Sequence, residues 1–176
     1  MWSSCERSRA STGSQSRTSS GSPGRLRAAV ADTTFINRVV EPHVRLWLGS
    51  QFPGHVFSER SVSVPGGSFK FDAVSGDGSI IGLILSSRAK TATGNENYGG
   101  WRKALNDIQW LKAASASRRL VVCTNDAFRA LVMRRSARLG TGGIEFIFCQ
   151  LPPDLDRQLN EHLDASSREQ RTRPTL

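Results

Sequence analysis

The chain contains 176 residues, of which 38% are hydrophobic, and it carries a formal net charge of +9. This length suits a single domain with a sizeable core. No apolar run is long enough to span a membrane, and the start of the chain lacks the continuous apolar stretch of a secretory signal. Cys5, Cys123 and Cys149 have no metal-type spacing, and the last two lie in apolar strand candidates, where reduced, buried thiols are usual. We therefore expect a cytoplasmic protein with no membrane partner.

Positive charge is spread unevenly along the chain. Residues 1–30 are rich in serine, glycine and arginine and have no periodic apolar pattern, which predicts a disordered basic arm. A transit peptide is the alternative for this segment. Residues 31–150 carry 15 basic and 9 acidic side chains. A basic body with a basic arm favours a polyanionic partner such as DNA or RNA, whereas the alternative explanation is arginine retained for solubility.

The first half of the domain predicts one helix followed by three strands. Asp32, Thr33 or Thr34 can cap a helix whose apolar face includes Ile36, Val40, Val44 and Trp47. Pro42 predicts a kink or a fresh helix start within it. Strand patterns follow at 55–64, 69–74 and 80–87, and the Ser75-Gly76-Asp77-Gly78 turn suits a hairpin. Three consecutive strands of this kind predict an antiparallel meander.

Helices and strands alternate in the second half. After a polar loop at 88–100, the pattern predicts a helix at 101–114, a buried strand at 119–124 and a helix at 127–138 that Asn125 or Asp126 caps and Gly140 ends. A strand at 144–149 and a helix from 153 to about 165 follow, and residues 166–176 are expected to be a disordered tail. The predicted domain, 31–165, is therefore an α/β fold with a mixed central sheet and helices on both faces.

This order of elements, with Asp72 one hairpin ahead of an apolar strand, resembles the restriction-endonuclease-like superfamily, the PD-(D/E)xK nucleases, over roughly residues 31–150. The resemblance implies that fold and a metal-dependent endonuclease site. In the family, an acid on one strand and the glutamate of a Glu-x-Lys on the next hold a divalent cation, usually magnesium, which activates water for phosphodiester hydrolysis, while the lysine helps to position the nucleophile. Asp72 matches the first acid, and Glu41 is the candidate for an assisting acid on the first helix.

The Glu-x-Lys frame falls on Leu83-Ile84-Leu85 in this chain. Strand alternation puts Leu83 and Leu85 on one face, where neither side chain can bind a metal. Lys90 is the candidate replacement for the missing lysine, and the alternative is a solvated loop charge or phosphate contact. Asp72 also has a structural alternative, a bond to turn backbone, although aspartate is disfavoured in strands and its unpartnered burial costs on the order of several kcal/mol.

The candidate residues therefore fall into three groups. The catalytic candidates are Asp72 and Lys90, the metal candidates are Asp72 and Glu41, and the nucleic-acid-binding candidates are Arg88, Lys90, Arg102 and Lys103. Arg134, Arg135 and Arg138 either contact DNA or complement a helix dipole.

These candidates suggest a nucleic-acid-binding protein of nuclease fold, with DNA as the expected ligand, magnesium as the cofactor if it cleaves, and an atypical or inactive site. The alternative is a non-catalytic scaffold or protein-interaction domain, and a homodimer is compatible with either.

Overall fold

The computed structural model describes residues 34–172, so the proposed arm at 1–30, the cap candidates Asp32 and Thr33, and residues 173–176 lie outside the described residues. Five strands and four α-helices follow in the described range, and we number them in chain order. The strands are β1 (Phe57–Val64), β2 (Gly67–Ser75), β3 (Ile80–Leu85), β4 (Arg118–Cys123) and β5 (Ile144–Phe148). The helices are α1 (Glu41–Gln51), α2 (Tyr98–Ala113), α3 (Asp126–Ser136) and α4 (Pro153–Thr172).

The five strands form one open sheet in the order β1-β2-β3-β4-β5. β1, β2 and β3 are antiparallel neighbours, whereas β3, β4 and β5 run parallel. The predicted meander and the mixed α/β sheet are therefore confirmed. β3 lies at the centre with all six residues buried, as expected for an apolar run covered on both faces.

Two hydrophobic cores lie on opposite faces of the sheet. Leu83, Leu85 and Val121 pack on one face with residues of α2 and α3, which include Ile108 and Phe128. The other face is covered by α1 and α4, and its core contains Val44, Leu48, Ala73, Ile84, Val122 and Leu159. Helices thus flank the sheet on both sides, as the alternation of elements predicts. Among the described helices, none combines the length and apolar character that a membrane crossing requires.

The helix starts follow local capping chemistry. The Asn125 side chain accepts a hydrogen bond from Phe128 N at 2.9 Å, which confirms one of the two predicted caps of α3. A π-helical turn, Ile36–Val40, leads into α1, and Pro42 lies in the first turn of α1, where its missing N–H is tolerated. α2 begins three residues earlier than predicted because Asn97 caps it by accepting from Gly100 N.

The ends of β3 and α4 differ from those predicted, while the remaining elements end within two residues of the predicted positions. β3 ends at Leu85 instead of Ser87. α4 continues to Thr172 and so includes residues 166–172, which the sequence pattern placed in a disordered tail. The physical reason is that no helix-breaking residue follows until Pro174, while arginine, glutamate and glutamine are good helix formers even without an apolar face.

Candidate functional site

Asp72 lies at a β-bulge in β2. Ser58 of β1 pairs with Val74, but Arg60 pairs with Phe71, so Asp72 and Ala73 together oppose a single residue of β1. The extra residue shifts the alternation of β2. Phe71 and Val74 therefore both belong to the α2–α3 core, whereas Ala73 belongs to the α1–α4 core. Asp72 occupies the point at which this alternation breaks.

The Asp72 carboxylate completes the hydrogen bonding beside this bulge. Its Oδ2 accepts a hydrogen bond from Ile84 N at 2.8 Å, beyond the β2–β3 pair formed by Ala73 and Gly82. Burial raises the pKa of Asp72, while the Ile84 N–H and the Lys103 charge oppose that rise. The carboxylate thus has a structural partner in the backbone, although on the neighbouring strand and not in a turn.

Glu41 and Arg45 of α1 lie next to the Asp72 bulge in β2. Arg45 Nη1 donates to Glu41 Oε2 at 3.3 Å and to the Asp72 carbonyl oxygen at 2.7 Å. Both side chains are largely removed from water, with 10% of Glu41 and 14% of Arg45 exposed. Burial raises the pKa of Glu41, the Asp72 charge raises it further, and the Arg45 charge lowers it. We call Glu41, Arg45 and Asp72 the Asp72 cluster.

The structure therefore joins two of the predicted site residues and adds a third that sequence reasoning missed. The available signal for Arg45 was its position four residues after Glu41, a spacing at which opposite charges meet on a helix. Its bond to the Asp72 carbonyl spans 27 residues and has no sequence signature.

Leu83 and Leu85 occupy the positions to which the resemblance assigns a glutamate and a lysine. Both are buried in the α2–α3 core, while Ile84 between them belongs to the opposite core, so the prediction that they share a face is confirmed. Neither side chain offers a ligand or a proton. The two leucine side chains contribute packing, and the backbone between them donates the Ile84 N–H to Asp72.

Lys90 lies on a short hairpin that follows β3. It forms an antiparallel bridge with Glu96, and Asn97 N donates to Ala89 O at 2.8 Å. Its side chain is exposed. The side-chain charges that act most strongly on Asp72 come instead from Lys103, Asp107 and Glu59. The structure thus places Lys90 with surface charges.

The donor set around Asp72 does not fit a magnesium site. Carboxylate oxygens suit this cation, but the Glu41 carboxylate is already paired with Arg45, and the Asp72 carboxylate accepts from Ile84 N. Among the described residues, no group of three or more histidine, cysteine, aspartate or glutamate side chains is arranged to hold a metal ion.

A second group of charged residues covers the outer side of α2 and α3. We define the basic surface as Lys90, Arg102, Lys103, Arg134 and Arg135. Both Arg134 and Arg135 donate to the Glu96 carboxylate, at 3.4 and 2.6 Å. The Arg135 guanidinium also lies 5.0 Å from the ring centre of Trp101. These contacts join the hairpin, α2 and α3 into one surface.

Two of the predicted nucleic-acid-binding residues, Lys103 of the basic surface and Arg88 outside it, form ion pairs with other residues of the chain. Lys103 Nζ donates to Asp107 Oδ2 at 2.7 Å, yet its side chain remains mostly exposed. Arg88 instead donates to Asp164 Oδ1 of α4 at 2.5 Å and holds the pKa of that carboxyl below its usual range. Arg88 is therefore tied to α4, separately from the basic surface.

Three buried polar atoms in the described chain have no hydrogen-bond partner. They are Ser86 Oγ, Thr124 Oγ1 and Trp101 Nε1. Ser86 and Thr124 each follow the last residue of a central strand, just after the β3–β4 pair Leu85–Cys123. Ordered water commonly satisfies such groups.

The chain was compared with protein-family models, with curated proteins and with solved structures. None of the three comparisons finds a match. The function therefore has to be argued from the residues of this chain.

Proposed function

We propose that this protein binds nucleic acid through the basic surface and that it has a restriction-endonuclease-like fold whose cleavage centre is inactive. The observation that carries the proposal is the contact network across three elements, in which Glu96 of the Lys90 hairpin accepts from Arg134 and Arg135 of α3, and Arg135 lies over Trp101 of α2. Arg102 and Lys103 are exposed neighbours of Trp101 on α2. The order of a three-strand meander followed by two parallel strands supports the relationship to that superfamily.

The basic surface has an excess of exposed positive charge. Glu96 accepts from both Arg134 and Arg135, so one carboxylate is shared between two cations. Exposed arginine and lysine side chains neutralise phosphates and release counterions, which gives binding its salt dependence. Guanidinium groups also bind phosphate oxygens with two parallel hydrogen bonds. A phosphate backbone therefore complements this surface in charge and in hydrogen bonding.

An inactive centre is supported by the Asp72 cluster. Arg45 lies against Glu41 and against the Asp72 backbone, and the Asp72 carboxylate is engaged with Ile84 N. The two positions that would complete a nuclease motif are leucines in the core. These residues hold α1 against the β2 bulge, which is a structural role.

The binding part of the proposal is tested by removing two cations and comparing two matched variants. The test variant is Arg134→Gln/Arg135→Gln, whose side chains are 69% and 43% exposed. The control is Arg118→Gln/Arg157→Gln, whose side chains are similarly exposed, at 45% and 65%, and form ion pairs outside the basic surface. Fluorescence anisotropy with labelled DNA at several salt concentrations measures both. We expect only the first variant to weaken binding, by about tenfold or more, and to lower the salt slope by about 1 per lost contact.

Equal losses in the two variants would show that net charge alone drives binding and would overturn the assignment to this surface. Cleavage is tested by incubating plasmid DNA with magnesium or manganese, and we expect no nicking. Nicking that Asp72→Asn abolishes would overturn the inactive centre.

A scaffold or protein-interaction domain is the second candidate. It is favoured by the ion pairs of Arg88 and Lys103, which give two predicted nucleic-acid ligands a partner within the chain. Val39 before α1 and Leu46 within it, about two helical turns apart, are also exposed, as residues of a protein contact often are. Absence of DNA and RNA binding at low salt would leave this candidate.

A further inference from the structure

Tyr98 is an exposed aromatic residue at the edge of the basic surface. It is the first residue of α2, and 58% of it is accessible to water. Among the exposed large hydrophobic residues of the described chain, only Tyr98 and Phe148 are aromatic, and Phe148 lies on β5. Packing within the chain therefore uses less than half of the Tyr98 surface.

The ring is held in a fixed row of aromatic and cationic groups. Arg102 Nη1 donates to the Tyr98 hydroxyl at 2.9 Å, and its guanidinium lies 5.4 Å from the ring centre. Trp101 meets Tyr98 edge-on, with 4.9 Å between ring centres, and Arg135 lies over Trp101. In the order Arg102, Tyr98, Trp101, Arg135, two neighbouring rings thus have a guanidinium group at each end.

This arrangement combines the two kinds of contact that bind a nucleotide, stacking on the base and positive charge for the phosphates. An aromatic face stacks on any base, and neighbouring cations contact the phosphates on either side. In a duplex the base faces are already stacked on one another, so an exposed tyrosine gains little from it. A single strand offers free base faces together with the same backbone charge.

On the basis of the proposed function, we infer that the basic surface binds single-stranded nucleic acid and that one base stacks on the Tyr98 ring. Arg102 and Arg135 contact the backbone beside that base. DNA and RNA single strands share this chemistry, so the surface accepts both, with selectivity for unpaired bases over duplex.

The test compares three ligands with the whole chain: single-stranded oligothymidylate or oligouridylate, a duplex of equal length, and an abasic deoxyribose-phosphate strand of equal charge. The variants are Tyr98→Ala, Tyr98→Phe and the control Leu46→Ala, which removes another exposed apolar side chain. We expect Tyr98→Ala to weaken single-strand binding by about tenfold, as loss of one stacked base does, without affecting the abasic strand. Tyr98→Phe retains the ring and should bind within about twofold of the parent.

The outcomes separate the two proposals. If Arg134→Gln/Arg135→Gln weakens every ligand while Tyr98→Ala changes none, the basic surface stands and the stacking role is overturned. A loss in Tyr98→Ala that is equal for the abasic strand also overturns stacking, because it shows that Tyr98 acts by positioning Arg102. No binding of any ligand by the parent protein overturns the proposed function itself.

Discussion

The Asp72 cluster and the basic surface contain similar residue types but have opposite relations to water. Glu41 and Arg45 are largely buried and contact each other, and the Arg45 guanidinium also bonds the backbone of β2. Arg134 and Arg135 are exposed, and they share one carboxylate. Both groups contain ion pairs, so the presence of an ion pair does not distinguish a structural charge from a binding charge.

The two groups should respond differently when one charge of an ion pair is removed. A buried charge that loses its partner remains desolvated, so the folded state is destabilised. An exposed arginine that loses its partner is solvated again at little cost, and it stays available to a phosphate. Stability measurements and binding measurements should therefore separate the two groups.

The largest expected effect is the loss of folding stability in Arg45→Met. This change leaves Glu41 buried beside Asp72 without its cation, and we expect the free energy of unfolding to fall by about 3–5 kcal/mol. Urea denaturation measures the change. Glu41→Gln/Arg45→Met should recover part of the loss, because no buried charge then remains. A fall in Arg45→Met no larger than that of Arg157→Met, an exposed ion-paired control on α4, would show that Arg45 does not stabilise the cluster.

The next effect distinguishes two variants of Asp72. Asp72→Ala removes the acceptor of the Ile84 N–H, and an unsatisfied buried donor costs about 1–3 kcal/mol. Asp72→Asn retains an oxygen acceptor and removes the charge whose burial is unfavourable, so it should be close to the parent in stability. Equal destabilisation of both variants in urea denaturation would mean that the charge, and not the hydrogen bond, is what the bulge requires.

A smaller effect concerns pH. The pKa values of Glu41 and Asp72 are raised in the folded state above 4.5 and 3.8, so the folded chain binds more protons than the unfolded chain between these ordinary values and the raised ones. The contribution of these two groups to the free energy of unfolding is fully present at pH values below the ordinary pKa values. It is lost as the pH rises through the raised pKa values. Glu41→Gln/Asp72→Asn should therefore gain stability relative to the parent as pH rises across this window. Denaturation at a series of pH values measures the difference, and a difference independent of pH would contradict the raised pKa values.

The smallest effect is expected on the basic surface. Arg134→Gln/Arg135→Gln should change the free energy of unfolding by no more than about 0.5 kcal/mol per side chain, because exposed ion pairs contribute little. The same denaturation experiment should give a similar value for Arg118→Gln/Arg157→Gln. A large loss of unfolding free energy in the first variant alone would show that Arg134 and Arg135 stabilise the fold, as the charges of the Asp72 cluster do.

Local sequence features were sufficient to predict most of the fold. The apolar run from Ile80, the glycine-containing turn before it and the Asn125 cap each act within a few residues, and each is found at or near its predicted position. The end of α4 was less predictable, since residues 166–172 have helix-forming side chains but no apolar pattern. Asp72 and Glu41 were identified as neighbours through the family resemblance, and the structure brings them together.

The sequence alone determined the elements of this protein and the residues of its central strand, because hydrophobic periodicity and capping are local properties. The tertiary structure decided what the charged residues do. The β2 bulge depends on the register between two strands, and it directs the Asp72 carboxylate to Ile84 N. Arg45 reaches Asp72, and Arg134 and Arg135 reach Glu96, across 27 to 39 residues. Only packing of the helices on the sheet brings such groups together, and burial then determines whether a charge stabilises the fold or remains free to bind a ligand.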